Sequence, residues 1–259
     1  MPGNLTSRHI SRRDFLKAIA LGTVTVAGFR WVKFASASGE GEEGPHKWVM
    51  VIDQSKCVGC GHCTLACRAH NDVPPEISWN RVIQSGTVNG EPVYISRPCM
   101  QCENAPCIDV CPVKASRHRA DGIVEMDYDK CIGCRYCEIA CPYGARAFNW
   151  KTFTGPNPAV PAWGQPEVER RPRGVVEKCS FCSHRIDRGL ANGLTPGVDA
   201  AATPACVVAC KVGARHFGDL NDPESEVSTL LRANSYYRLR EDLGTAPRVY
   251  YLPAHEEVS

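Results

Sequence analysis

Sixteen cysteines fall into four groups of four, and the spacing within each group is a metal-ligand pattern. Cys57, Cys60, Cys63 and Cys67 read C-x2-C-x2-C-x3-C, and Cys131, Cys134, Cys137 and Cys141 repeat that spacing with Pro142 behind them. Cys99, Cys102, Cys107 and Cys111 read C-x2-C-x4-C-x3-C, followed by Pro112. Cys179 and Cys182 form a C-x2-C pair, which Cys206 and Cys210 complete after a gap of 23 residues. Runs of this kind hold cubane [4Fe–4S] clusters, the fourth cysteine of each run ligating the other cluster of a pair. No cysteine is left over, so the count predicts four [4Fe–4S] clusters with all sixteen thiolates as metal ligands.

Three cysteines within seven residues can wrap one cluster only if the loop curls tightly. Gly59, Gly61 and Gly133 suit such a loop, because glycine permits close backbone approach and unusual dihedrals. The curl turns backbone N–H groups toward the sulfurs, which offsets the cost of burying a negatively charged cluster and tunes its potential. The fourth cysteine is expected to begin a helix and to point at the neighbouring cluster. Zinc calls for C-x2-C pairs separated by a longer stretch. Three cysteines at x2, x2 spacing do not divide that way, although the Cys179/Cys182/Cys206/Cys210 group taken alone could. A disulfide framework is the ordinary reading of an even cysteine count in an exported chain, but cysteines two residues apart in tight groups are poor staples.

The elements that must carry these loops are short and repeated. Asp53-x-x-Lys56-Cys57-Val58-Gly59-Cys60-x-x-Cys63-x-x-Ala66-Cys67 aligns with Asp127-x-x-Lys130-Cys131-Ile132-Gly133-Cys134-x-x-Cys137-x-x-Ala140-Cys141. A strand-like apolar run precedes each copy, Trp48–Ile52 and Ile123–Met126. An internal repeat of this sort means duplicated units, here of the form strand, cysteine loop, short helix, short strand. The predicted fold is α+β, with two pseudo-symmetric ferredoxin-like domains, each holding two clusters, and long loops. Such small elements bury little apolar area unaided, so metal loading and folding should be coupled. Residues 154–173 are rich in proline and read as a surface excursion, and 191–204 as a second one.

The first 37 residues read as an address. Ser11-Arg12-Arg13-Asp14-Phe15-Leu16-Lys17 has the twin-arginine export pattern, the apolar stretch Ala18–Phe29 follows, and Ala35-Ser36-Ala37 offers a cleavage site. Twelve apolar-leaning residues fall short of the roughly 20 that span a bilayer. The expected location is periplasmic, at the outer face of the cytoplasmic membrane, reached in a folded, cluster-loaded state; assembly in the reducing cytoplasm would protect the thiolates. No other stretch is apolar enough to cross a membrane, so no transmembrane helix is expected once the signal is cleaved. Thirty basic against 28 acidic residues argue against a nucleic-acid partner. Phosphate-cradling glycine loops and further metal groups are missing from the sequence, so no catalytic residue is expected.

The chain resembles the four-cluster ferredoxin-like electron-transfer subunits of the dimethyl-sulfoxide-reductase family from Lys47 to about Pro253. Beyond the cysteines the likeness rests on Arg97-Pro98-Cys99, Asp121-Gly122-Ile123-Val124, Cys141-Pro142-Tyr143-Gly144-Ala145-Arg146, Glu177-Lys178-Cys179, Thr203-Pro204-Ala205-Cys206 and Phe217–Pro223. The resemblance implies cross-ligation: Cys57, Cys60 and Cys63 with Cys210; Cys179, Cys182 and Cys206 with Cys67; Cys99, Cys102 and Cys107 with Cys141; Cys131, Cys134 and Cys137 with Cys111. Groups one and four then make one domain (47–92 plus 174–220) and groups two and three the other (93–153), after a linker at 38–46 and before a C-terminal tail at 221–259. It also implies a polytopic quinone-interacting membrane subunit as one partner. The other is a molybdopterin catalytic subunit or a multihaem cytochrome c, as in tetrathionate or polysulfide reductase, cytochrome c nitrite reductase-associated and sulfite-reductase-linked complexes. The competing classes are an enzyme in its own right and a zinc- or disulfide-stapled binding module.

Several other residues invite chemistry. Arg117-His118-Arg119 reads as a solvated turn rather than a potential-raising patch, and His62 as a solvated histidine rather than a ligand. Cys179-Ser180-Phe181-Cys182-Ser183-His184 misses the haem-attachment pattern by one residue. Tyr136, Tyr143, Phe148 and Trp150 either line an electron path or pack against the clusters.

Overall fold

The computed structural model describes residues 44–254. The signal segment, the linker up to residue 43 and the last five residues lie outside the described residues. In chain order the elements are β1 (Trp48–Asp53), α1 (His62–His70), β2 (Arg81–Val88), β3 (Glu91–Arg97), α2 (Pro106–Asp109), β4 (Ser116–His118), β5 (Val124–Met126), α3 (Tyr136–Ala140), β6 (Ala147–Phe148), β7 (Val176–Glu177), α4 (Ser183–Ala191), α5 (Ala205–Val208), β8 (Arg215–Asp219), α6 (Glu226–Ala233), a 3-10 turn (Glu241–Leu243) and β9 (Val249–Leu252). The architecture is a small mixed α/β one. No helix among the described residues is long and apolar enough to cross a membrane.

β1 is buried along its whole length, as a continuous apolar strand requires. Trp48, Met50 and Ile52 join the main core, while Val49 and Val51 pack on the other side against Val227, Leu230 and Leu231 of α6. This is the period of two expected of a strand. β1 is the middle of a three-stranded sheet, antiparallel to β8 (Trp48 opposite Asp219, Ile52 opposite Arg215) and parallel to β9 (Met50 opposite Val249). Residues after 220 therefore do more than trail: they supply the third strand, and α6 covers its face. The remaining strands form two-stranded ladders β2–β3, β4–β5 and β6–β7. The β2–β3 hairpin turns on Asn89 and Gly90, both at positive φ, as two-residue hairpin loops demand.

The duplicated cysteine motif folds twice in the same local way. Asp53 N–H donates to the Ala214 carbonyl at 2.8 Å and Asp127 N–H to the Ala115 carbonyl at 2.7 Å, tying each motif to the segment after another group's last cysteine. Within each copy the aspartate pairs with the lysine three residues on, Asp53 with Lys56 at 3.3 Å and Asp127 with Lys130 at 2.7 Å.

The fourth cysteine of each group does not begin a helix. α1, α2, α3 and α5 each start one residue before the third cysteine (Cys63, Cys107, Cys137, Cys206), and the fourth lies late in that helix or just past its end. The cause is the C-x3-C spacing, which is about one helical turn; that turn carries the chain from one thiol set to the next.

The Pro-rich segment is anchored as well as exposed. Asn157 and Ala159 are buried, Asn157 donates to the Arg68 carbonyl and to Asp72, and the Glu167 N–H donates to the His70 carbonyl at 2.9 Å. The segment thus lies along the end of α1.

Candidate metal centre

All sixteen thiols are unpaired, and the fold gathers them into four sets. Cys57, Cys60, Cys63 and Cys210 line one cavity together with Ile52, Val82 and Arg215. Cys111, Cys131, Cys134 and Cys137 line another with Met126, Gly133 and Val176. Burial first, and then the charges of Cys179, Cys182 and Cys206, push the Cys67 thiol well above its ordinary value, which marks those four as neighbours. Burial together with Cys99, Cys107 and Cys141 pushes Cys102 up to about 12. Each set joins three cysteines of one group to the last cysteine of another.

The sets are also neighbours of one another. Cys206 feels Cys63 of the first set, and Cys179, raised to about 12 by burial and then by Cys206, feels Cys99 of the third. Arg146 bears on both Cys107 of the third set and Cys137 of the fourth. The two middle sets are buried apart from a half-buried Cys141, whereas Cys60 and Cys134 are exposed at the two outer ones.

The loops reach this geometry through backbone conformations that side chains resist. At Gly133, with φ of +67°, a Cβ would stand 2.1 Å from the Gly174 carbonyl oxygen; at Gly59, with φ of +73°, it would meet the Tyr94 ring at 2.5 Å. Donors then close on the sulfurs. Phe181 N–H lies 3.4 Å from Cys179 Sγ, and Ala214 N–H 3.3 Å from Cys210 Sγ. Asn80 Nδ2 lies 3.1 Å from Cys63 Sγ, Asn71 Nδ2 3.5 Å from Cys182 Sγ, Arg146 3.1 Å from Cys107 Sγ and Arg215 3.4 Å from Cys206 Sγ.

These residues fit iron–sulfur clusters. Among the described residues no three His, Cys, Asp or Glu side chains converge on a single ion-sized site; the thiols of the two outer sets stand around cavities, as ligands to the corners of a larger group would. Buried thiols with raised pKa values hold their protons until a metal replaces them. Donors aimed at sulfur lower the cost of the negative charge that then remains.

Sequence reasoning does not reach Asn71, Asn80, Lys178 and Arg215 as residues around the sulfurs. A signal for Arg215 exists: Cys210-Lys211-Val212-Gly213-Ala214-Arg215 repeats the form of Cys141-Pro142-Tyr143-Gly144-Ala145-Arg146. The asparagines have no such local mark. Arg117 and Arg119 are engaged rather than merely solvated, Arg117 with Glu125 at 2.6 Å and Arg119 with Asp121 at 3.0 Å and Asp187 at 2.5 Å. His62 packs at a tilt of 45° against Trp163, with ring centroids 4.7 Å apart. Tyr143 is buried with its hydroxyl on Thr245 and the Leu239 carbonyl, whereas Tyr136 and Trp150 are exposed.

Comparison with known proteins agrees with this chemistry. A family profile described as a 4Fe-4S dicluster domain matches residues 91–155, and one described as a 4Fe-4S binding domain matches residues 48–69. A selenate reductase subunit of Mesobacillus selenatarsenatis is 43% identical over 221 residues, covering 80% of this chain and 72% of its own. The menaquinone reductase iron–sulfur cluster-binding subunit of Nitratidesulfovibrio vulgaris is 43% identical over 234 residues, 82% of this chain and 91% of its own. A tetrathionate reductase subunit of Salmonella typhimurium is 36% identical over 255 residues, 93% of this chain and 88% of its own. The sixteen cysteines and both profiles account for four [4Fe–4S] clusters. With that cofactor content and this much shared sequence, the chain belongs to the ferredoxin-like iron–sulfur subunits of the dimethyl-sulfoxide-reductase type.

Proposed function

We propose that this chain is the exported electron-transfer subunit of a membrane-bound respiratory oxidoreductase, passing single electrons along four clusters between a quinone-reactive membrane subunit and a molybdopterin catalytic subunit. The clusters, when bound, supply the one-electron chemistry; the chain spaces and insulates them and sets their potentials. The ligand sets are those gathered above: Cys57, Cys60, Cys63 and Cys210; Cys179, Cys182, Cys206 and Cys67; Cys99, Cys102, Cys107 and Cys141; Cys131, Cys134, Cys137 and Cys111. They pair into two ferredoxin-like halves. The observation that carries the reading is their order: two buried sets adjoin in the middle, and the outer sets each bring one exposed cysteine to the surface. That is a path with two ends, and it needs no substrate site along its length.

The ends differ in character. Around Cys134 stand Ile132, Tyr136, Ile139 and Trp150, with Ile139 83% exposed, whereas the Cys60 end offers Val58 and Val212. Large exposed apolar patches mark interaction sites, and we assign the Cys134 end to the membrane subunit. A second reading keeps the path but places a multihaem cytochrome c at the other end. Residues 1–37 direct twin-arginine export in either reading.

Purification of the native complex tests the assignment. A co-purifying molybdopterin subunit supports the first reading and a c-type cytochrome the second. A chain that turns over a substrate alone would overturn both. Replacing Arg12 and Arg13 by lysine should leave the protein in the cytoplasm; undiminished export would refute the address.

A further inference from the structure

Among the described residues four arginines are more than nine-tenths buried: Arg146, Arg171, Arg185 and Arg215. A guanidinium in that setting needs a counter-charge. Arg171 has Glu177 and Arg185 has Glu167. Arg146 and Arg215 have no carboxylate partner among the described residues. Arg146 contacts Met126 Sδ at 2.8 Å, Cys107 Sγ at 3.1 Å and the Ser116 hydroxyl. Arg215 contacts Met50 Sδ at 2.9 Å, Cys206 Sγ at 3.4 Å, Asn80 Oδ1 at 3.5 Å and the Ser96 hydroxyl. The partners are the same in kind: one methionine sulfur, one cysteine sulfur, one serine hydroxyl. Both residues stand five places after the last cysteine of their group, and the Nε–H of each is buried without a partner.

Each also lies between two thiol sets. Arg215 touches Cys206 directly and reaches Cys63 of the adjoining set through Ser96 and Asn80, whose hydroxyl and amide lie 3.8 and 3.1 Å from Cys63 Sγ. Arg146 touches Cys107 directly, and its contact Met126 lines the cavity of Cys111, Cys131, Cys134 and Cys137 in the adjoining set.

We propose that Arg146 and Arg215 are a matched pair of potential-setting residues, each a permanent positive charge shared by the two clusters of one half of the protein. Arginine stays protonated at any working pH, so the charge is fixed. A fixed cation in a poorly screened interior favours the more negative, reduced state of both neighbours. Each arginine thereby raises two potentials together and keeps electrons from being trapped on one member of the pair. The proposal rests on the cysteine sets assigned under Proposed function, and the experiment separates the two.

The experiment is an anaerobic redox titration of the cluster-loaded chain followed by electron paramagnetic resonance, with iron content measured alongside. The variants are Arg215→Gln, Arg215→Lys, Arg146→Gln and Arg146→Lys, with Cys57→Ser and Cys131→Ser assigning signals to each half. Each Gln variant should lower the reduced-to-oxidised ratio of both clusters in its own half at least tenfold at a fixed potential, a negative shift of about 59 mV for one electron. The other half should not move, and each Lys variant should recover most of the shift. Fully loaded Gln variants with unmoved potentials overturn the proposal alone, as do Lys and Gln variants that shift equally. Arg215→Gln moving the Cys99 and Cys131 clusters instead overturns the underlying cysteine sets. Should the Gln variants fail to load, Lys variants that load with near-native potentials support the role of charge, and Lys variants that fail in the same way overturn it.

Discussion

Replacing Glu177 should destabilise the chain, because it removes a buried carboxylate on which an arginine depends. Glu177 is fully buried on β7, two residues ahead of Cys179. Its carboxylate accepts from Trp79 Nε1 at 3.1 Å, from Arg171 at 3.2 Å and from the Asn149 side-chain amide. These partners come from the insertion after group one, the segment after group three and the end of the Pro-rich loop, so one carboxylate ties three excursions to the start of group four. Arg171 lies over the Trp79 ring at 4.7 Å and has no other carboxylate within reach among the described residues. Glu177→Ala strands this guanidinium. Breaking one side of a buried ion pair costs about 3–5 kcal/mol, or ~150- to ~4,000-fold in population at about 1.4 kcal/mol per tenfold.

Cluster proteins that lose iron on unfolding are judged by rates. The assay is the bleaching of cluster visible absorbance in guanidinium under anaerobic conditions. Glu177→Ala should bleach at least a hundredfold faster at matched denaturant if the contact breaks before the unfolding barrier. Glu177→Gln keeps the shape and isolates the charge. Adding Arg171→Met to it removes both charges and should recover part of the loss, since an apolar replacement of both partners is often tolerated. A Glu177→Ala protein bleaching within twofold of wild type would refute the reasoning, as would a double variant worse than the two single losses combined.

The remaining predictions concern loading, loop geometry and docking. Four cubanes require about sixteen irons and sixteen sulfides per chain; chelation should collapse the far-ultraviolet dichroism as well, and a cluster-free chain with a cooperative melt would sink the coupling of folding to metal. Gly133→Ala drives a Cβ to 2.1 Å from the Gly174 carbonyl at a φ of +67°, so iron content should fall by about a quarter, with unaltered iron as the contrary result. Burial works against charge on Glu167, but Arg188, Arg185 and His70 hold its carboxyl below the usual range. A depressed carboxylate stabilises above its unfolded pKa and loses that contribution as pH falls through the folded value; limited proteolysis of residues 154–172 should therefore stay slow at neutral pH, quicken only below about 4.3, and be fast at all pH in Glu167→Gln. Ile139→Glu should release the subunit from its membrane partner with its iron intact, and retention at wild-type salt tolerance would remove the Cys134 end from that role.

How far the sequence carries depends on whether the information is local. Cysteine spacing, the Asp-x-x-Lys-Cys repeat and the apolar run at Trp48–Ile52 are local, and each reappears as a thiol set, a pair of equivalent turns or β1. The Asn89-Gly90 turn is local too and announces the β2–β3 hairpin to a reader who looks for it. β9 is another matter. Its parallel pairing joins residues about 200 apart, and nothing in Val249–Leu252 names Met50–Asp53 as the partner. The helix starts fall earlier than expected because C-x3-C spans about one helical turn rather than opening a helix. Asn71 and Asn80 meet the sulfurs of Cys182 and Cys63 only after α1 and the following insertion have folded back, so composition around the cysteines could not reveal them.

The seam between the two middle sets shows why polar residues were placed in the deepest part of the protein. Lys178 is 1% exposed and donates to the Cys179 carbonyl at 2.7 Å and to the Val124 carbonyl. Gln101, wholly buried, donates to the same Cys179 carbonyl at 2.7 Å and accepts from Val124 N–H at 2.8 Å. Group two, β5 and group four are thus strapped through directional bonds with defined lengths. An apolar seam of the same area could slide at small cost, whereas a buried network that must satisfy every member admits few alternatives. On the proposed path, Cys99 and Cys179 belong to the two clusters that electrons must cross between halves, and transfer between centres depends steeply on their separation. The hydrogen bonds here do little that apolar packing could not do for stability; what they add is a fixed distance across the junction between the two middle clusters.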